Sequence, residues 1–260
     1  MKEKKIYYYS NELEDDFMPE KREPRVIDGS FKYVHGNIFW KIAEFFVYRV
    51  IMMPFAFIYD KIKFRHKIVG KEKLKQVKSG YFMYANHTIA DGDAFIPNIV
   101  NSPRKTYTIV HPANISHKMG NNFLRMCGAM PLPSDIPATK NFLSAVEHFS
   151  NKGCAIQIYP EAHIWPYYTK IRPFKENSFR YPVKFDKPVF CFTNTFHQRK
   201  NGKVRVITYV DGPFYADKTL LLKDQEKDLR DKVYESMVER AKLNTYEFVG
   251  YVKVDKNSNE

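Results

Sequence analysis

The chain is poor in cysteine. Cys127, Cys154 and Cys191 stand far apart among apolar neighbours, and their odd number argues against a disulfide framework. No two share a redox or metal-ligand spacing, so the expectation is three buried thiols in a reducing compartment. Paired ligand spacing is missing for histidine too, and no metal site is expected. No serine or cysteine occupies a nucleophile elbow, which makes a covalent acyl-enzyme the less simple route for any acyl chemistry. Internal repeats and low-complexity segments are absent. The start shows no secretory pattern, because Lys2, Lys4 and Lys5 lead into a polar, acidic segment. Acidic residues are outnumbered, 29 against 42 basic ones, and the net charge of +13 calls for an anionic partner: nucleic acid, a membrane surface or a phosphorylated substrate.

An unbroken apolar run of about 20 residues, the length a membrane span needs, is also lacking. Ile38 to Tyr59 comes near, but Lys41, Glu44 and Arg49 interrupt it and Pro54 kinks it. Charges at the centre of a span cost roughly 2.5–3.5 kcal/mol each. An amphipathic helix lying in the membrane interface over residues 36–60 is the expectation, with a helix packed on the protein's own core as its rival. Eight basic residues between Lys61 and Lys78, against Glu72 alone, add a second membrane signal at about 1 kcal/mol each, or else a solvated face. Residues 1–35 show no sustained period and read as a loosely ordered polar arm.

From residue 61 to 215 strand-like and helix-like stretches alternate. Thr106 to Val110, Cys154 to Tyr159, Pro188 to Thr195 and Val204 to Val210 read as strands; Lys118 to Met126 and Thr139 to Ser150 read as helices. A charged helix from Asp224 to Leu243, with Leu229, Val233, Met237 and Ala241 on one face, is expected to pack on the domain as part of a 216–260 tail. The pattern predicts one α/β domain with a mixed, largely parallel sheet flanked by helices.

The candidate chemistry centres on Tyr84 to Phe95, a polar loop between a strand-like and a helix-like run. His87 is flanked by Asn86 and Thr88, with Asp91 and Asp93 in reach. A carboxylate on one imidazole nitrogen fixes the tautomer and makes the other nitrogen a better base, able to deprotonate a hydroxyl that attacks an activated acyl group. A second cluster holds Glu161, His163, Lys170, Arg172, Lys175 and Arg180 after a strand, a candidate phosphate seat or scattered surface charge.

Asn86-His87 with a following aspartate, Tyr159-Pro160-Glu161, Pro173-Phe174-Lys175 and Lys187-Pro188-Val189 occur in that order. In these motifs, over roughly residues 60 to 215, the chain resembles the glycerophospholipid acyltransferase family, which includes the bacterial 1-acylglycerol-3-phosphate acyltransferases. The resemblance implies an enzyme that transfers a fatty acyl group from a thioester, on coenzyme A or acyl carrier protein, to a lysophospholipid or glycerol-phosphate-type hydroxyl. It implies no cofactor, no nucleic acid, and a peripheral place on the cytoplasmic membrane face. In an Asn-His-x4-Asp motif the histidine is the base and the aspartate its orienter, which maps onto His87. Here Gly92 stands at the aspartate position, so Asp93, after one inserted residue, is the preferred orienter and Asp91 the alternative. The family's Glu-Gly-Thr-Arg block, part of its glycerol-phosphate site, reads Glu161-Ala162-His163-Ile164, and the block around Gly128 to Asp135 also lacks arginine. Asn86, Glu161, His163, Arg172, Lys175 and Arg180 are the resulting substrate-binding candidates. The rival reading is a non-catalytic basic module, for membrane or nucleic acid, on a degenerate acyltransferase fold.

Overall fold

Every residue of Tyr81–Ala85 (β3) is buried, as befits a strand covered on both faces, where apolar residues need not alternate. In the computed structural model, which describes residues 4–19, 22–116 and 121–255, β3 is the middle of a seven-stranded sheet. Its companions are Lys67–Val69 (β2), Thr106–Val110 (β4), Ala129–Pro131 (β5), Ala155–Ile158 (β6), Val189–Gln198 (β7) and Val204–Phe214 (β8). Their order is β2-β8-β7-β3-β6-β4-β5, and every pairing is parallel except the β7–β8 hairpin. Helices flank both faces of this mixed, mostly parallel sheet.

Alternation of side chains along β3 feeds two cores. Phe82 and Tyr84 meet Phe142, Val146, Phe179, Val233 and Met237 on one face, while Tyr81, Met83 and Ala85 meet Phe64, Ile96, Val100 and Phe190 on the other. Helix α5 (Ile136–Asn151) starts where Asp135 accepts a hydrogen bond from the Ala138 amide at 2.7 Å, with Pro137 in the first turn, and ends before Gly153 at φ +81°. Helix α7 (Leu222–Ala241) buries Leu229, Val233, Met237 and Ala241, the four residues its periodicity marks. Of the helix expected from Lys118, residues 121–126 form α4 (Asn121–Met126) and the first three lie outside the described residues.

The apolar N-terminal helix runs continuously over Ile38–Phe64, a turn further than expected, and is long and apolar enough by composition to cross a membrane. It consists of α1 (Ile38–Phe45), a π-helical stretch Phe46–Met52 and α2 (Met53–Phe64). Pro54 lies in the first turn of α2, directly after the wider π turns, where its missing N–H is tolerated. Tyr48, Met52, Met53, Ala56, Asp60 and Phe64 form its buried stripe. Phe39, Phe45, Phe46, Phe55, Ile58 and Ile62 remain exposed.

Among the first 35 residues, those described, 4–19 and 22–35, are better anchored than the sequence suggests. Lys5–Tyr9 (β1) pairs in parallel with Val249–Lys253 (β9), at the far end of the chain. Phe17 packs edge-on against Trp165, which stacks on Tyr251 at 5.2 Å, and Ile27 and Phe31 are buried.

Candidate active site

The carboxyl ends of β3, β6 and β7 lie side by side, and the loops leaving them meet at one edge of the sheet. That edge is where an α/β fold usually builds a site. Asn86 fastens the loop after β3 to β7: its Oδ1 accepts from the Asn194 amide at 2.8 Å and its Nδ2 donates to the Asn194 carbonyl at 3.1 Å. Its role is therefore to hold the loop. His87 follows, and its Nδ1 lies 2.7 Å from Asp93 Oδ2, which also accepts from the Ile89 amide at 3.0 Å. A carboxylate can only accept, so in the neutral ring Nδ1 is the nitrogen that carries the proton and Nε2 the one with the lone pair.

The inserted residue is absorbed in a tight turn, with the amides of Gly92 and Asp93 both donating to the Ile89 carbonyl at 2.8 Å. A Cβ on Gly92 would stand 2.7 Å from Ile89 Cγ2, so only glycine fits this approach. Asp91 points away. It is exposed and pairs with Lys63 at 2.5 Å, so of the two aspartates the structure sets Asp93 against His87. The i+4 argument for Asp91 presumes a helix, whereas α3 (Ile96–Asn101) begins only after the turn.

Tyr159 completes the immediate surroundings of His87, and sequence reasoning gave it no part. Its ring stacks on the imidazole at 4.2 Å between centroids, 18° from parallel, and its hydroxyl donates to the Asp93 carbonyl at 2.7 Å. Burial pushes the Tyr159 hydroxyl well above the usual tyrosine range, which keeps it a neutral donor. The visible signal was its place in the Tyr159-Pro160-Glu161 motif, directly after a strand-like run.

Glu161 is buried and works structurally: one oxygen accepts from the His87 amide and the other from the Arg172 amide, both at 2.9 Å. Burial raises its carboxyl above the usual range, and the nearby Arg172 guanidinium opposes the shift. Arg172 is wholly buried. It lies 3.6 Å from Glu161 and over the Trp165 ring, and it donates to the backbone carbonyls of Glu12 and His163. That arrangement differs from the expectation of a phosphate seat on Arg172: the side chain is wholly buried, its two terminal nitrogens go to backbone carbonyls, and its Nε is enclosed without a partner among the described residues. His163 meets Asp16 of the N-terminal arm at 3.2 Å. Lys175 and Arg180 are exposed, and among the described residues neither has a hydrogen bond or ion pair to the His87 loop. The cluster after β6 thus divides into a buried brace, Glu161–Arg172, and surface charge.

Backbone bonds knit the two loops together, from the Trp165 amide to the His87 carbonyl at 3.1 Å and from the Tyr167 amide to the Thr88 carbonyl at 2.8 Å. Ala162 and Tyr167 have left-handed backbones, φ 63° and 59°. The cysteines are free, and burial pushes the thiols of Cys127 and Cys191 up to about 11 and about 12. Among the described residues no group of three His, Cys, Asp or Glu is placed to hold a metal ion.

A mostly parallel sheet thus carries a His–Asp pair at its carboxyl edge, the kind of pair that general-base chemistry uses. The acyltransferase family profile matches residues 65–194, half of the chain, and the protein belongs to that family. The fold is similar to the crystal structure of the 1-acyl-sn-glycerophosphate (LPA) acyltransferase PlsC from Thermotoga maritima. The match covers 80% of this chain and 89% of that one, with a TM-score of 0.54 and 16% sequence identity, a level that speaks for the fold alone. No curated protein sequence matches the chain.

Proposed function

We propose that this acyltransferase moves a fatty acyl group from a thioester, on coenzyme A or acyl carrier protein, to a hydroxyl of a lysophospholipid or glycerol-phosphate-type acceptor. The observation that carries the reading is the His87–Asp93 contact at 2.7 Å, with the second imidazole nitrogen free to act. His87 Nε2 takes the proton of the acceptor hydroxyl as its oxygen attacks the thioester carbonyl carbon. The tetrahedral intermediate collapses, the carbon–sulfur bond breaks, and the imidazolium returns its proton to the departing thiolate. Asp93 holds the ring and stabilises the transient imidazolium. Direct attack by the acceptor agrees with the high thiol pKa values of Cys127 and Cys191, which disfavour a cysteine nucleophile.

The enzyme works, in this reading, as a peripheral protein on the cytoplasmic face of a membrane. The exposed side of the Ile38–Phe64 helix, with Phe39 77% and Ile62 72% exposed, supports insertion into the acyl–headgroup boundary. The Thermotoga maritima enzyme is named for 1-acyl-sn-glycerophosphate (LPA), and the same acceptor heads the panel to be tried here. The test measures thiol release from an acyl thioester with lysophosphatidic acid, other lysophospholipids, glycerol 3-phosphate and a simple alcohol. Release that depends on one acceptor and on His87 is expected. Release with none of them, or undiminished release by His87→Ala, sinks the proposal.

A further inference from the structure

Six cations lie on two segments that Arg199 ties together, the end of α2 and the β7–β8 hairpin. Arg65 ends α2 in the left-handed region, φ 43°, and turns the chain into β2. The parallel β2–β8 pairing brings the start of β2 against β8, and Arg65 and Arg205 both lie close enough to Arg199 for their charges to act on it. Arg199, directly after β7, reaches back and donates to the Lys63 carbonyl. The hairpin turn closes through the Arg199 amide on the Lys203 carbonyl and the Gly202 amide on the Arg199 carbonyl, both 2.9 Å, leaving Lys200 and Lys203 exposed at its tip. Lys61 lies on the last turn of α2.

Some lysines of this protein have a carboxylate partner, such as Lys73 with Asp211, Lys105 with Glu44 and Lys232 with Asp228. Among the described residues, Lys61, Arg65, Arg199, Lys200, Lys203 and Arg205 form no ion pair. Burial together with the fields of Arg65 and Arg205 lowers the Arg199 pKa, a sign that the cluster repels itself. Such a concentration of unpaired charge is maintained at a cost unless an anion meets it.

We propose that the β7–β8 hairpin and the end of the 38–64 helix form a seat for the anionic headgroups of a bilayer. The charge alone would suit any polyanion. What selects a bilayer is continuity with apolar surface, since Ile58 and Ile62, on the last turns of the same helix, are 60% and 72% exposed. A basic rim joined to an apolar face is the chemistry of an interface, where headgroups and acyl chains are met together. The position has a consequence for the site. Residues 193–198 of β7 overrun the end of β3, and Arg199 lies roughly 16 Å along the chain from Asn194, the partner of Asn86, at about 3.3 Å per residue. Lys63, whose carbonyl Arg199 holds, pairs with Asp91 of the His87 loop. Seating the hairpin on headgroups would keep the mouth of the His87 loop at the bilayer surface, where a lysophospholipid resides.

The inference goes beyond insertion of the helix, and the two separate experimentally. The full chain and its Lys200→Glu/Lys203→Glu/Arg205→Glu variant are partitioned onto vesicles of phosphatidylcholine, and of phosphatidylcholine and phosphatidylglycerol in equal parts. Three basic residues at about 1 kcal/mol each correspond to a loss of at least about 10²-fold on the anionic vesicles, with no change on the neutral ones. Lys200→Gln/Lys203→Gln, a milder change at exposed positions, should lose roughly 30-fold on the anionic vesicles. High salt should erase the difference between variant and parent. Equal partition of parent and variants onto anionic vesicles overturns the seat, whatever the helix does. A parent that ignores neutral vesicles but loses anionic ones on substitution keeps the seat and overturns helix insertion. Acyl-CoA KM is measured for both in neutral detergent micelles. An unchanged value fits a lipid seat; a raised one would assign the cluster to the donor's phosphates instead and overturn it.

Discussion

Asp93 Oδ2 is shared between His87 Nδ1, at 2.7 Å, and the Ile89 amide, at 3.0 Å, so one buried oxygen fixes both the ring and the turn that carries it. Burial lifts the Asp93 carboxyl above the usual range, while His87 and the loop amides pull it down. His87→Ala should lower kcat by about 10²–10⁴, the span of general-base catalysis. Asp93→Asn removes the charge and offers an amide donor to Nδ1, which favours the wrong tautomer, so turnover should fall there too. Asp91→Asn severs only a surface pair with Lys63 and should leave kcat within about twofold. Thiol release by the three variants, each checked for native circular dichroism, decides the matter; a damaging Asp91→Asn with a silent Asp93→Asn would exchange their roles.

Glu161 and Arg172 are placed as a buried pair, and whether they brace the loop or bind substrate can be measured. A phosphate ligand at position 172 would raise the acceptor KM when removed and leave folding alone. The buried pair predicts the reverse: Glu161→Gln or Arg172→Met leaves an uncompensated buried group and should cost about 3–5 kcal/mol of stability. Because Glu161 also holds the His87 amide, kcat should fall with stability while acceptor KM changes little. Denaturant unfolding and kinetics on the same preparations separate the two outcomes.

Much of the scaffold could be read from residue patterns, and the reasons for the exceptions are physical. Thr106–Val110 and the buried face of α7 follow from periodicity, because each is a local property of a single segment. The β1–β9 pairing is not local: it joins the two ends of the chain, and Tyr7, Tyr8 and Tyr9 carry no mark of their partner. Arg172 reads as surface because it stands in a run with Lys170 and Lys175, and only the fold reveals that it points inward to Glu161. The spacing of the His87 loop left Asp91 and Asp93 open since it does not say whether the segment is turn or helix. Tyr159 was hidden for another reason, namely that adjacency of β6 to β3 is a fact of sheet order.

Ala162 occupies a left-handed backbone, φ 63°, on the exposed turn between Glu161 and His163. A side chain there costs about 1–2 kcal/mol in crowding against the carbonyl. Ala162→Gly removes that cost and adds about 0.4–1 kcal/mol of unfolded-chain entropy, so a net stabilisation of about 0.5–1 kcal/mol is expected. Unfolding midpoints in denaturant test it, and a destabilised variant would show that the methyl group is held favourably.

Asp211 provides the pH test. It closes β8 onto α7 through a two-pronged bond from Arg240, Nε to Oδ2 at 2.7 Å and the terminal nitrogen to Oδ1 at 2.8 Å, and Lys73 adds a third contact at 2.7 Å. Partial burial opposes its charge, but Arg240 and Lys73 together outweigh that and hold the carboxyl below the ordinary 3.8. A depressed folded-state pKa means stability that is present above 3.8 and is lost as the pH falls through the lower, folded-state value. Asp211→Asn should therefore be destabilised at neutral pH by about 1–2 kcal/mol, the worth of charged hydrogen bonds discounted for the partial exposure of both cations. The gap between variant and parent should stay constant down to about pH 4 and close below it. Thermal unfolding of the two proteins across that range measures the gap directly, and a gap that persists in acid would mean that shape, rather than charge, makes Asp211 matter.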